Sequence, residues 1–243
     1  CGNSPWNNVE PDLQILKADN PGLASIEKNG QSAKSKEGLT ASSITLSCFD
    51  AVAYSKLKVT AHVKDKDGEN TEDIVAYLTN TGKEEVLLPF DEDGNHIADT
   101  WEDKNEVRGR PAKEDADDHP QGDRRNGDGL TIWEEYRGFL EEGKHIRTNP
   151  KTKDFFICDT IKGRTRPGID RFASLTKLDV HSRLKLEELS ESRVINRNHS
   201  PDSPHVVDQH GVRMDAWSTE GLNRAQGGPG TPGTIVAVLI DTR

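Results

Sequence analysis

Residues 91–102 read DEDGNHIADTWE. Numbered as a twelve-position loop, they put Asp91 at position 1, Asp93 at 3, Asn95 at 5, the Ile97 carbonyl at 7, Asp99 at 9 and Glu102 at 12. That is the oxygen order a seven-coordinate Ca²⁺ takes from an EF-hand-type loop. The spacing has a physical reason: alternate residues of a tight loop point inward, and the first turn of the exiting helix swings Glu102 back to close the shell with both oxygens. Ile97 offers only its carbonyl, which leaves its apolar side chain to anchor the loop on a core. His96 stands at position 6, where glycine is usual because the backbone there needs positive φ. Histidine tolerates that conformation better than a β-branched residue, so weaker binding is expected, not loss.

A second loop follows at residues 126–136, NGDGLTIWEEY. Asn126 falls at position 3, Asp128 at 5, Gly129 at 6, the Leu130 carbonyl at 7 and Glu135 at 12. Position 1 falls on Arg124 and position 9 on Ile132, neither a ligand. The first ligand is then expected from Asp123 through a one-residue bulge, or from Asp117 or Asp118. For both loops the competing reading is an acidic turn that caps a helix, with Asp128 and Thr131 the capping residues.

Working outward from the loops, residues 91–128 hold 13 acidic and 6 basic side chains, a local charge of −7 within a total of −10. Such a balance excludes a generic phosphate-backbone binder, so no nucleic-acid partner is expected. Only 32% of the chain is hydrophobic, a small core for 243 residues. The longest apolar run, Ile235–Ile240, is far too short for a transmembrane helix.

The organisation expected is α+β. Residues 1–40 read as a polar tether or irregular segment, 41–90 as an N-terminal antiparallel β-sandwich of the immunoglobulin-like kind, 91–149 as the EF-hand-like calcium loops with short helices, and 150–243 as a mixed α+β region. Leu57, Val59, Ala61 and Val63 alternate with polar residues, a turn is expected at residues 64–68, and strands follow at residues 74–78 and 86–88, the last stopped by Pro89. Ile132, Trp133, Tyr136, Phe139 and Leu140 mark a helix face that Gly143 would cap. Further strands are expected at residues 154–158, 193–196, 205–207 and 234–240, and a helix carrying Ile169, Phe172, Leu175 and Leu178.

The three cysteines show no zinc spacing. Cys48 and Cys158 each end an apolar run, which predicts burial of both; a Cys48–Cys158 disulfide is the expectation for an exported protein, two separate reduced core thiols the alternative. A start at Cys1-Gly-Asn-Ser resembles a mature bacterial lipoprotein with a lipid anchor on Cys1, the alternatives being an arbitrary start or a disulfide. His199, His205 and His210, interleaved with Asp202 and Asp208, read as loop histidines more readily than as a zinc site. No G-x-S-x-G or H-E-x-x-H string occurs, and the G-x-G-x-x-G match at residues 228–233 contains two prolines and opens no helix.

The run GDGLTIWEEYRGFLEEGKHIRTNPKTKDFFI at residues 127–157, with RVINRN, HVVDQHG and GGPGTPG after it, resembles the calcium-loop and α+β segment that precedes the zincin-like metallopeptidase domain of large exported bacterial proteins. The loops themselves are similar to dockerin and thrombospondin type 3 loops. None of that family's catalytic residues has a counterpart at these positions. Two functions are therefore expected in competition: an exported, cell-surface or extracellular Ca²⁺-stabilised structural or interaction protein, with a protein partner or self-assembly at the surface, or the non-catalytic N-terminal portion of a zinc metallopeptidase.

Overall fold

The computed structural model describes residues 13–48, 54–65, 67–68, 71–122, 126–161, 163–189, 195, 209–217, 224–226 and 237–241. Cys1, Asp123, His199, Asp202, His205 and Asp208 lie outside these residues, as do the expected strand at 205–207 and all of that at 193–196 except Ile195. The chain divides into two compact units, one ending at Lys104 and the other beginning at Asn105. Each calcium-type loop belongs to a different unit.

The first unit is built from two-stranded antiparallel ladders. Leu13–Gln14 pairs with Ser47–Cys48, and Ser25–Ile26 with Ala33–Lys34. Between them Asn20, 5% exposed, does with hydrogen bonds what few apolar residues are present to do. Its Nδ2 donates to the carbonyls of Leu16 and Thr45 at 2.9 Å each, and its Oδ1 accepts the Thr45 N–H at 2.7 Å. The alternating stretch 55–64 forms strand as its pattern predicts, but it changes partner at Val59. Ser55–Lys58 pairs with Glu85–Leu88, and Thr60–Lys64 pairs with Thr71–Val75 across the expected turn. Among the described residues these ladders stay two-stranded and form no pair of packed sheets. Val59, Val63 and Ile74 are accordingly 44–49% exposed, where a sandwich would bury them. Cys48, expected inside, is exposed.

The second unit carries the larger sheet, in the order Asp179–His181, Asp154–Asp159, Val212–Trp217, Ala237–Asp241 and Arg224–Gln226. The first four strands run parallel and the last is an antiparallel edge. Helix Arg166–Thr176 makes the crossover from strand Asp154–Asp159 to strand Asp179–His181, the connection a parallel pair requires. Pro167 suits its first turn, where the missing N–H costs nothing, and Lys177 ends it in the left-handed conformation. Along strand Asp154–Asp159 the two-residue period gives Asp154, Phe156 and Cys158 one face. Phe156 and Cys158 enter a core with Leu130, Phe139, Leu184, Leu189 and Ile195. On the other face Phe155 packs on Phe172 of the helix, ring centroids 5.0 Å apart.

Helix Ile132–Arg137 is shorter than its apolar pattern predicts. Phe139 and Leu140 instead begin a hairpin, Phe139–Glu141 against Lys144–Ile146, and Gly143 shapes its turn. The cause is Gly138, which sits at φ 75° and ψ −165°, outside the range of L side chains, and whose added Cβ would stand 2.0 Å from the Ile146 carbonyl oxygen. Gly138→Ala is expected to lower stability by about 1–3 kcal/mol, read as a lower urea midpoint; an unchanged midpoint would contradict the hairpin.

Cys158 is 2% exposed and carries a free thiol, so the expected Cys48–Cys158 bridge is not formed. A thiol is compact and apolar enough to fill a place between Phe156 and Leu184 without a partner. Burial also pushes its pKa above the usual thiol value, and neighbouring charges modify that. Cys158 should therefore resist a thiol reagent such as DTNB in the native protein and react fully in guanidinium; rapid native-state labelling would show the site to be open.

Candidate metal centre

The first loop closes on itself as the position numbering predicts. Asp91, 2% exposed, accepts the N–H groups of Gly94 (2.7 Å) and His96 (2.9 Å), and Asn95 Oδ1 accepts the Ile97 N–H at 2.8 Å. Asn95 Nδ2 donates to Glu102 Oε1 at 2.8 Å and to Asp93 at 3.2 Å. Asp99 receives the Glu92 N–H at 3.0 Å, and Asp93 is exposed. Ile97 is fully buried, the anchor expected of it. His96 adopts φ 69°, and its ring stacks on Tyr54 at 4.2 Å between centroids. A stack of about 0.5–1.5 kcal/mol is of the same size as the roughly 1–2 kcal/mol cost of a left-handed non-glycine residue, which accounts for histidine here.

The second loop repeats these hydrogen bonds. Asp115 accepts the N–H groups of Asp128 (3.1 Å) and Gly129 (2.9 Å), at positions 5 and 6, where Asp91 accepts those of Gly94 and His96 at positions 4 and 6. Asp128 Oδ1 accepts the Leu130 N–H at 2.9 Å, as Asn95 serves Ile97. Asp115 thus stands at position 1 and Asp117 at position 3, and residues 118–127 replace the single Gly94. Asp117, one of the alternatives read from the sequence, is 2% exposed. Asn126, expected at position 3, is exposed, and Asp118 is exposed and meets the His119 ring.

Several contacts hold this geometry. The Ile132 N–H donates to the Glu114 carbonyl at 2.9 Å and that of Trp133 to Ala112 at 3.0 Å, which brings residues 112–115 against the start of the helix. Thr131 caps that helix reciprocally with Glu134, so the capping reading holds for Thr131. Gly127 allows Asp115 to fit, because an added Cβ would lie 2.1 Å from Asp115 Oδ1. His119 pairs in a parallel bridge with Thr152, its carbonyl accepting the Lys153 N–H at 2.7 Å. That bridge sets the start of strand Asp154–Asp159 beside the loop, and the Asp154 N–H donates to Asp128 Oδ2.

The result is two adjoining triads of carboxylates that share Asp128. Ligand oxygens of Asp115, Asp117 and Asp128 lie within 4.8 Å of one another, and so do those of Asp128, Glu135 and Asp154. Glu135 is fully buried, and neither of its oxygens has a hydrogen-bond partner, although Thr148 and Asp154 are near enough to influence its charge. Asp117 Oδ2 and Asp154 Oδ2 are likewise buried without partners. Buried acceptors are rarely left so, since each costs about 1–3 kcal/mol. Among the described residues the clusters of this kind lie in the second unit, and the carboxylates of the first loop do not draw together to the same degree. Sequence spacing favours the first loop; side-chain convergence favours the second.

Electrostatics tell the same story. Burial first, then the neighbouring carboxylates, raises Asp117 to about 8; burial and then Asp154 raise Asp128 to about 7; and burial raises Asp154 to about 6 against the opposing pull of His181. Glu135 is pushed well above the usual carboxylate range by burial and by Asp154, Asp117 and Asp128. Asp154 and Asp115 are the members of the cluster that ligand spacing in the sequence does not mark. Asp115-x-Asp117 repeats the spacing of Asp91-x-Asp93 and was there to be matched across an insertion; Asp154, from a strand beyond the helix, carries no local signal.

Compared with known families, curated proteins and solved structures, the chain matches none. The arrangement must therefore be read from its chemistry.

In the cation-free protein these acids have folded pKa values above their unfolded ones, near 4. Their contribution to stability is present below that unfolded value and is lost as pH rises through about 6 to 8. Calcium-depleted protein should accordingly melt lower at pH 8.5 than at pH 5.5, and added calcium should remove most of the deficit at pH 8.5. A calcium-depleted melting temperature that rises across this interval would contradict the cluster.

Proposed function

We propose that the protein is a Ca²⁺-stabilised structural or interaction protein of the bacterial cell surface or extracellular space. The observation that carries this reading is the meeting of Asp115, Asp117, Asp128, Glu135 and Asp154 with buried, unpartnered oxygens on Asp117, Glu135 and Asp154. The donors are hard oxygens throughout, with no thiol in the set, a choice that suits calcium over zinc or copper. Two carboxylate triads that share Asp128, with the Leu130 carbonyl at position 7 of the loop, also suit the high coordination number of calcium better than the octahedral, water-keeping Mg²⁺. Such an ion would tie loop, helix and sheet together.

The first loop is proposed as a second calcium site on the strength of its position-by-position match and its shared hydrogen bonds. Among the described residues no helix is long and apolar enough to cross a membrane. A surface role would have the ion act as a fastener and not as a catalyst.

An ion that binds only the folded state contributes about 2.7 kcal/mol at a hundredfold excess over Kd. Calcium should raise the melting temperature of the second unit, and Glu135→Gln should abolish most of that gain while Glu102→Gln leaves it in place; Mg²⁺ should substitute poorly. Equal melting temperatures in calcium and in chelator would refute the proposal.

A further inference from the structure

Asp154 is the one carboxylate of the cluster that the loop does not supply, so something outside the loop has to aim it. Its Oδ1 accepts the Nε2–H of His181 at 2.7 Å, while Oδ2 has no partner. His181 is 9% exposed and its ring is held by two aromatic neighbours. It lies 4.7 Å from the Phe139 ring at 73° and 5.0 Å from the Phe156 ring at 22°. Both phenylalanines are buried at 1–2% exposure, and Phe156 is also the residue directly opposite His181 in the parallel ladder. The imidazole therefore cannot swing away without opening the core. Asp179, on the same short strand, is exposed and stands close enough to form an acid–imidazole group with the pair. An N···O separation of 2.7 Å is a hydrogen bond; two ligands on one ion at metal–ligand distances of about 2.0–2.2 Å stand farther apart than that in tetrahedral geometry. The pair is thus an orienting contact and not a separate ion site.

We propose that His181 is a positioning residue of the calcium site in the second loop: by holding Oδ1 of Asp154 it turns Oδ2 toward the ion, and so links calcium affinity to the pairing of strands Asp154–Asp159 and Asp179–His181. The proposal rests on the calcium reading above. An outer hydrogen bond of this kind typically sets metal affinity by 10–100-fold. The link is reciprocal, because an ion that prefers the oriented carboxylate also stabilises the strand pair that orients it.

The test is a calcium titration by calorimetry on the full chain carrying Glu102→Gln, so that the second loop is read alone. In that background His181→Leu should weaken binding at least tenfold. His181→Gln, whose amide nitrogen reaches about as far as Nε2, should recover most of the loss, and the shorter His181→Asn should not. That ordering is one a merely structural role would not produce, and if His181→Leu fails to fold, the Gln and Asn variants still decide. Affinity of His181→Leu within twofold of its parent, or equal binding by the Gln and Asn variants, overturns the proposal and leaves the calcium site standing. A parent that binds no calcium in the second loop overturns the site and the proposal together.

Discussion

Two triads of carboxylates that share Asp128 adjoin in the second unit, Asp115 and Asp117 on one side and Glu135 and Asp154 on the other, and ionising all of them without a cation is costly. Two like charges 4 Å apart repel by about 4 kcal/mol even at an effective dielectric constant near 20. A whole domain is stable by only about 5–15 kcal/mol. The chain has two ways out. It can hold protons on Asp117, Asp128 and Glu135 at neutral pH, which is the direction their surroundings push them, or it can bind an ion that satisfies the buried oxygens at once. The first gives a folded but weakened protein; the second would turn a destabilising cluster into an anchor.

Much of the second unit is arranged around that point. The loop sends Leu130 into the core while its carbonyl occupies position 7, Thr131 starts the helix that returns Glu135, and the His119–Thr152 bridge delivers Asp154. The same strand that begins with Asp154 continues with Phe156 and Cys158 in the core. Site and core are therefore one construction, since the residues that fix the carboxylates are adjacent along the chain to the residues that exclude water. With only about a third of the chain hydrophobic, an ion joining loop, helix and strand would supply cohesion that apolar area does not.

How much of this was legible in the sequence depended on whether the signal was local. Period-two alternation marks the strand pairing over residues 55–64, and loop spacing marks the buried Ile97 and the convergence of Asp128 with Glu135, because each rule acts within a few residues. The helix from Ile132 was read too long: Phe139 and Leu140 are buried or half-buried in a hairpin as they would be on a helix face, and only the close approach of Gly138 to Ile146 tells the two apart. The disulfide failed for a similar reason, since an apolar neighbourhood predicts burial of Cys158 correctly but says nothing about a partner. Asp115 was hidden by the insertion at residues 118–127, and Asp154 by the bridge and the crossover that no spacing rule contains.

The most direct measurement is a crystal structure grown in calcium with data collected to reveal the anomalous signal of the ion. The account predicts a calcium peak in the second loop, within about 2.3–2.6 Å of oxygens from Asp117, Asp128, Glu135 and Asp154. Density for those carboxylates turned apart and solvated, with no peak between them at saturating calcium, would contradict it.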